Sequence, residues 1–252
     1  VRGVRQLDTK LINDIASRVT NVRRQIHQCP ELAYHEHKTS ALILSYLQDI
    51  GIQAKLVYKT GVLGNLYGKN DGPTIILRSD IDALPITEAT SSPFSSQNDG
   101  IMHACGHDMH IAILLGTAEY LVHNADFSGT LKFLFQPAEE ENPDSGARHM
   151  IETGVLCDPP VKAAFALHVW PELMTGEVAV RNGVMMAASD RVKITIYGTS
   201  AHAAKPHLGT DAIVIAASII NELQKIISRN IDPLDSAVIT FGKINGGTVA
   251  NV

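Results

Sequence analysis

Several features that often reveal a function are scarce in this sequence. Its 252 residues include only three cysteines, Cys29, Cys105 and Cys157, and this odd count without regular spacing excludes a disulfide framework. Aromatic residues make up 5% of the chain, which argues against a stacking platform for single-stranded nucleic acid. Lysine and arginine form no dense cluster, so we expect no nucleic-acid partner.

Long apolar runs are also missing. The most apolar stretches, His110–Gly116 and Ala212–Ile220, are far shorter than the ~20 residues of a membrane-spanning helix, so we expect no membrane partner. Residues Val1–Arg5 lack the apolar core of a signal peptide. Together with the few cysteines, this predicts a cytoplasmic protein.

The composition allows a packed core and gives the chain a mild charge. Apolar residues make up 45% of the chain, and 21 basic against 26 acidic side chains give a net charge of −5. The length allows one large domain or two smaller ones.

The first part of the chain has the pattern of an α/β domain. Apolar residues at spacings of three and four predict helices, and short apolar runs predict buried strands. Helices interleaved with buried strands indicate a layered α/β architecture. The predicted helices are Leu7–Gln28, Glu36–Ile50 and Asp108–Val122; the predicted strands are Gln53–Tyr58, Gly64–Gly68, Thr74–Ser79, Gly129–Phe135 and Ala163–Val169.

The pattern changes after Arg181. The segment Arg191–Tyr197 alternates polar and apolar residues, which predicts a strand with one solvated face. A helix over Gly209–Ser228 and a strand over Ala237–Ile244 follow. We therefore predict two domains, residues 1–185 and a smaller α+β domain of residues 186–252.

The densest group of reactive side chains is the segment His103–His110. It contains three histidines, one cysteine and one aspartate, and it directly precedes an apolar helix. A thiolate and a neutral imidazole are good ligands for zinc or a similar divalent ion. The alternative interpretation is a buried thiol beside surface histidines.

Acidic residues and a histidine follow three predicted strands. Asp80 and Asp82 follow the strand Thr74–Ser79. Glu139 and Glu140 follow the strand Gly129–Phe135, and His168 lies at the end of the strand Ala163–Val169. Side chains at the carboxyl ends of strands lie where α/β sheets place their active sites. Adjacent carboxylates repel each other, so a cation would stabilise them, and one can bind metal while its neighbour acts as general base. The alternative is a set of solvated turns beside an ordinary core histidine.

These motifs, in this order, resemble the amidohydrolase branch of the aminoacylase and glutamate carboxypeptidase family of metallopeptidases. That branch includes hippurate hydrolases, N-acetyl-amino-acid deacetylases and auxin-conjugate hydrolases. The matching segments are His27–Leu32, Arg78–Pro85, His103–Asp108, Gln136–Glu140, Leu167–Val169 and Gly198–Pro206.

The resemblance implies a metal-dependent amidohydrolase that cleaves N-acyl amino acids or small peptide-like amides. Two divalent ions are expected, zinc or manganese, with nickel and cobalt as alternatives. The positions that match metal ligands are Cys105, His107, Glu140 and His168. Glu139 matches the general base that activates the attacking water. Asp82 matches an acid that orients the site, and Asp80 is a weaker candidate for that role.

The resemblance also assigns roles to the second domain. It implies a mixed-sheet catalytic domain with flanking helices, joined to a lid through which a homodimer forms. His202 matches a histidine that reaches the partner subunit's site to stabilise the oxyanion, and Asn251 matches a substrate-binding residue. Relatives continue past Val252 and supply a last histidine ligand, so both domains are expected to be truncated here. Glu141–Pro143 also replaces a glycine-rich run.

Two other functions stay open from the sequence. Cys105 could be the nucleophile of a thiol hydrolase with His107 or His110 as its base. Side chains two positions apart rarely face each other on a helix, and the acidic strand ends would have no role. The chain could also be an inactive dimerising or ligand-binding form of the same fold.

Overall fold

The computed structural model describes residues 8–141 and 143–251. The chain divides into two compact units, Val1–Ser189 and Asp190–Val252, which are described separately below. The functional roles predicted for the domains 1–185 and 186–252 remain predictions.

The first unit contains the helices and strands predicted for it, with shifted ends, and a short helix over Gly146–Glu152 that was not predicted. In chain order they are α1 Thr9–Gln28, α2 His37–Asp49, β1 Gln53–Val57, β2 Gly61–Tyr67, β3 Asn70–Asp80, α3 His107–His123, β4 Ser128–Gln136, α4 Gly146–Glu152 and β5 Val161–Ala166. The predicted start of α1 at Leu7 lies outside the described residues. The ladder between β3 and β5 stops at the pair Arg78–Ala166, so His168 lies in a loop and not at the end of a strand.

The five strands form one mixed sheet in the order β1-β2-β4-β3-β5. Strand β2 is antiparallel to both β1 and β4, whereas β3 is parallel to β4 and β5. The predicted mixed-sheet α/β fold with flanking helices is therefore confirmed. Asp80 is paired with Gln136 in the register of β3 and β4, so the loops that follow β3, β4 and β5 begin at one edge of the sheet.

Helices cover both faces of this sheet because neighbouring strand residues alternate between two cores. The larger core contains Phe133 and Phe135 of β4 with apolar residues of α1, α2 and α3, and the smaller one contains Leu134 with Met150 of α4. Burying each large apolar side chain contributes about 1.5–3 kcal/mol. These cores fix the strands whose ends carry the predicted site.

The second unit confirms the predicted helix but not the predicted strands. Helix α5 spans Ala212–Asn230, and the Asp211 side chain caps it by accepting hydrogen bonds from two backbone amides. The segments 191–197 and 237–244 form no strand in the described part of this unit, so that prediction was wrong. Alternation permits a strand, but a strand also needs a neighbour for its backbone groups, and neither segment forms a ladder. The α+β lid is therefore not confirmed.

No helix among the described residues is both long and apolar enough to cross a membrane.

Candidate metal centre

The structure brings the predicted metal ligands of the first unit together around His107. Ligand atoms of Cys105, His107 and His168 all lie within 4.8 Å of one another, and so do those of His107, Glu139 and Glu140. His107 belongs to both groups. The two groups place the predicted ligands from three loops at one edge of the sheet.

The imidazole of His107 is oriented by its contact with Asp82. Its Nδ1 lies 2.9 Å from the Asp82 carbonyl oxygen, which can only accept a hydrogen bond, so Nδ1 carries the proton. The other ring nitrogen, Nε2, is buried without a hydrogen-bond partner. It lies 3.6 Å from Asp80 Oδ2 and 3.9 Å from Glu140 Oε1. A buried ring nitrogen that faces carboxylates without a hydrogen-bond partner fits a metal ligand.

Gly106 lets the Cys105–His107 turn approach the loop after β5. It has φ 83° at the N-terminus of α3, a left-handed conformation that favours glycine. A Cβ at this position would lie 2.6 Å from Val169 Cγ2, so a larger residue would push the two loops apart. Cys105 Sγ lies 3.3 Å from His168 Nε2, and His168 Nδ1 donates to the Val169 carbonyl oxygen at 2.7 Å.

The surroundings of Cys105 suit a metal ligand better than a nucleophile. Burial, together with the charges of Glu140, Asp80 and Glu139, raises the pKa of the thiol to about 12. A catalytic thiol needs positive surroundings that lower its pKa, and Cys105 has negative ones. A metal ion bound beside Cys105 would lower the pKa of its thiol and favour the thiolate as a ligand. The histidine within hydrogen-bond distance of Cys105 Sγ is His168, and not the His107 or His110 base that the thiol alternative requires.

The adjacent acids Glu139 and Glu140 are half-buried in the loop that follows β4. The backbone amide of Glu140 donates to Asp82 Oδ2 at 3.0 Å. Burial and the charge of Glu140 raise the pKa of Glu139. A raised pKa makes this carboxylate a stronger base toward a proton within hydrogen-bond reach.

The carboxylate of Asp80 lies between the site and His110, because its Oδ2 faces His107 Nε2 and its Oδ1 is hydrogen-bonded to His110. Asp80 Oδ1 accepts from His110 Nδ1 at 2.6 Å, and His110 Nε2 accepts from the Val169 amide at 3.0 Å. Burial alone would raise the pKa of Asp80, but the hydrogen bond from His110 and the charges of His107 and Arg78 lower it to about 2. Asp80 and His110 therefore support the loop that carries His168.

Asp80, His107 and His110 could themselves be taken for a third ligand group, because their ligand atoms lie within 4.8 Å of one another. Both nitrogens of His110 already have partners, so we assign it to hydrogen bonding. From the sequence, His110 was one of the three histidines of the segment His103–His110 and a possible base for Cys105. The signal for its supporting role is its spacing of three from His107, which places both on one face of α3.

His202 and Asn251 lie in the second unit and are exposed. His202 Nδ1 accepts from the Ala204 amide at 3.1 Å. The Asn251 carbonyl oxygen accepts from the Ala203 amide at 3.1 Å. The two predicted residues therefore neighbour each other through the backbone within this unit, and their roles remain predictions.

Comparison with known proteins decides the family. The family model described as peptidase family M20/M25/M40 matches residues 76–251. The chain belongs to this family. The matched M20 segment contains every predicted site residue of both units.

Several M20-type relatives are deacetylases by name. The chain is 46% identical over 243 residues to N-acetyl-L-cysteine deacetylase of Bacillus subtilis, covering 96% of this chain and 58% of that protein. It is 43% identical over 233 residues to N-acetyldiaminopimelate deacetylase of Priestia megaterium, covering 92% and 61%. The chain thus spans about three fifths of the length of these curated relatives.

Solved structures agree with the family. A protein of methicillin-resistant Staphylococcus aureus matches 97% of this chain and 66% of its own with a TM-score of 0.80 and 34% identity. A dinuclear metal-binding M20 peptidase of Bacillus subtilis matches 64% of this chain and 45% of its own with a TM-score of 0.61 and 44% identity.

Proposed function

We propose that this M20 chain belongs to a metal-dependent amidohydrolase that removes the acyl group from N-acyl amino acids, with N-acetyl amino acids as the first substrates to test. The observation that carries the proposal is the buried His107 Nε2 without a hydrogen-bond partner, facing two carboxylates. The deacetylase relatives support the substrate class.

Two divalent ions are the proposed cofactors. The number follows a similar solved structure, which is a dinuclear metal-binding peptidase. The overlapping ligand groups of this chain supply Cys105, His107, His168 and Glu140 as ligands. Zinc or manganese suits this mixture of sulfur, nitrogen and oxygen ligands. When bound, such ions polarise the scissile carbonyl and make water a better nucleophile.

Side chains of the first unit transfer the proton of the attacking water and orient the metal ligands. Glu139 accepts the proton of the attacking water and passes it to the leaving amine, and its place beside His107 and Glu140 supports this role. Asp82 fixes the His107 ring through its carbonyl oxygen and the Glu140 backbone through Oδ2. Cys105, His107, Glu140 and His168 hold the metal.

The second unit contributes the remaining groups in this proposal. His202 would stabilise the oxyanion in the partner subunit's site of a homodimer, and Asn251 would bind substrate. The hydrogen bond between the Ala203 amide and the Asn251 carbonyl oxygen supports a joint role for the two loops. We further propose a cytoplasmic location, in keeping with the three free cysteines.

Chelation distinguishes this function from the thiol hydrolase. The full-length protein should hydrolyse N-acetyl amino acids, lose this activity in a chelator, and regain it when zinc or manganese is returned. A thiol hydrolase would keep its activity in the chelator. Cys157→Ser, which changes an exposed free cysteine, is the matched control for Cys105→Ser and should leave turnover unchanged.

A further inference from the structure

We propose that Glu36 is a positioning residue that fixes the backbone beside Glu139. This inference rests on the proposed function, in which Glu139 is the general base. Glu36 directly precedes α2 and lies more than a hundred positions from Glu139 in sequence, so no motif links the two residues.

Both carboxylate oxygens of Glu36 have buried partners. Oε1 accepts from the Ala138 amide at 2.9 Å, and Oε2 accepts from Thr60 Oγ1 at 2.6 Å. Glu36 is fully buried at 0% exposure, and Thr60 is 1% exposed. No cation pairs with Glu36 among residues 8–141 and 143–251. Burying a carboxylate without a cation is costly. This cost indicates that the hydrogen bond that Glu36 accepts from the Ala138 amide has a function.

Ala138 needs such a contact to keep its conformation. Its φ is 50°, in the left-handed region that an alanine rarely adopts, and it is fully buried. Its amide donates to Glu36, and its carbonyl oxygen accepts from the Gly146 amide at 3.1 Å. Both polar groups of this backbone unit are therefore fixed, and the chain direction into Glu139 is set by them.

Glu139 thus lies between two backbone amides that buried carboxylates hold. Glu36 holds the amide of Ala138 on one side, and Asp82 holds the amide of Glu140 on the other at 3.0 Å. In the described part of the chain, the Glu139 side chain makes no hydrogen bond of its own. Its position is therefore determined by the backbone, and a base must lie within hydrogen-bond reach of the proton it abstracts.

The variants Glu36→Met and Glu36→Gln, with Glu31→Gln as control, test this in the metal-loaded full-length protein. Glu36→Met keeps the length of the side chain but accepts no hydrogen bond. It should lower kcat about 10- to 100-fold, as loss of a group that orients a ligand or base does. KM and metal content should stay unchanged. Glu36→Gln keeps an oxygen for the Ala138 amide and should retain most of kcat.

The matched control is Glu31→Gln. Glu31 accepts from the backbone amides of Lys38 and Thr39 in the first turn of α2, so it supports the same helix without touching the loop after β4. It should affect the melting temperature and leave kcat unchanged. Equal losses of kcat in Glu31→Gln and Glu36→Met would overturn the positioning role, because support of α2 would then explain both.

A double-mutant cycle shows whether Glu36 acts through Glu139. In a Glu139→Gln background, adding Glu36→Met should change the residual kcat by less than about twofold, because residues that act as a unit are not additive. A full additional loss would overturn the inference.

Hydrogen exchange at the Ala138 amide gives a readout that does not need turnover. It should be faster in Glu36→Met than in the parent or in Glu31→Gln, and unchanged exchange would overturn the inference. If the parent hydrolyses no N-acyl amino acid, the proposed function fails, whereas exchange still tests the contact. If Glu36→Met does not fold, Thr60→Val replaces it: faster exchange with a lower kcat supports the role, and no change in either overturns it.

Discussion

The two units of the molecule hold their candidate functional residues in different ways. In the first unit, His107, Glu140 and His168 are oriented by hydrogen bonds to buried groups or to the backbone of a packed sheet edge. In the second unit, His202 and Asn251 are exposed and accept hydrogen bonds from the backbone amides of Ala204 and Ala203. The side chains of the first unit are held in place by the protein itself. Those of the second unit are free to contact a substrate or a partner subunit.

This difference matches the proposed division of labour. Metal ligands must be held in place, because misplaced ligands lose metal affinity. A histidine that acts in a partner's site must instead be accessible on a surface. The comparison predicts that changes at the metal ligands and at the residues that orient them lower metal binding, whereas changes at His202 lower turnover alone.

The largest expected effect is that of Glu139→Gln. Turnover should fall about 100- to 10,000-fold because the general base is removed, while the metal content stays that of wild type. Glu140→Gln should lower metal content as well as turnover. Elemental analysis and kcat on the same preparations check this, and exchanged phenotypes would show that the two roles are reversed.

The next largest effect concerns His202. His202→Ala should lower kcat on the order of 100-fold with unchanged metal content, as expected for loss of an oxyanion-stabilising group. The control is His207→Ala, an exposed histidine in the same unit, which should leave kcat unchanged.

Mixing two inactive forms tests whether His202 acts in trans. A mixed dimer of His202→Ala and Glu139→Gln has one site with an intact base that receives an intact histidine from its neighbour. Activity should return toward about a quarter of wild type under random exchange. No recovery, with exchange proved by mass measurement, would rule out the trans role.

A smaller effect is expected from His110→Phe. An aromatic ring is kept, but the hydrogen bonds to Asp80 and to the Val169 amide are lost. Metal affinity should fall about 10- to 100-fold through the His168 loop. A titration of apoprotein with metal measures this, and unchanged affinity would separate the Asp80–His110 pair from the site.

The smallest effect on function, but a clear one on stability, is expected from Lys132→Met. Lys132 Nζ donates to the carbonyl oxygens of Val155, Asp158 and Pro159, and the residue is 0% exposed. Leaving these groups without a partner should lower the free energy of unfolding by ~3 kcal/mol. Lys225→Met in the second unit removes an exposed ion pair with Glu222 and should cost less than about 1 kcal/mol. Denaturant unfolding compares the two.

The sequence predicted the first unit well because local pattern and long-range packing agree there. Apolar runs such as Thr74–Ser79 form strands because the same residues fill the two cores. It predicted the second unit less well, because alternation over Arg191–Tyr197 states only that a strand is possible. Whether it forms depends on a neighbour that no local pattern specifies.

The sequence predicted the site residues that belong to a motif. It did not predict the residues whose role depends on a hydrogen bond to a distant part of the chain. Cys105, His107, Glu140 and His168 follow from motifs, and the structure brings their ligand atoms around His107. Glu36 and the Asp80–His110 pair were not assigned these roles, because their partners lie far away in sequence. Such pairs depend on the strand order, which is fixed only in the folded sheet.

The metal content of protein that has never met a chelator tests the central claim most directly. Elemental analysis should find about two divalent ions per chain of the full-length protein, and fewer in Cys105→Ser and His107→Ala, with Cys157→Ser equal to wild type. A stoichiometry unchanged by Cys105→Ser and His107→Ala would contradict the assignment of the metal centre.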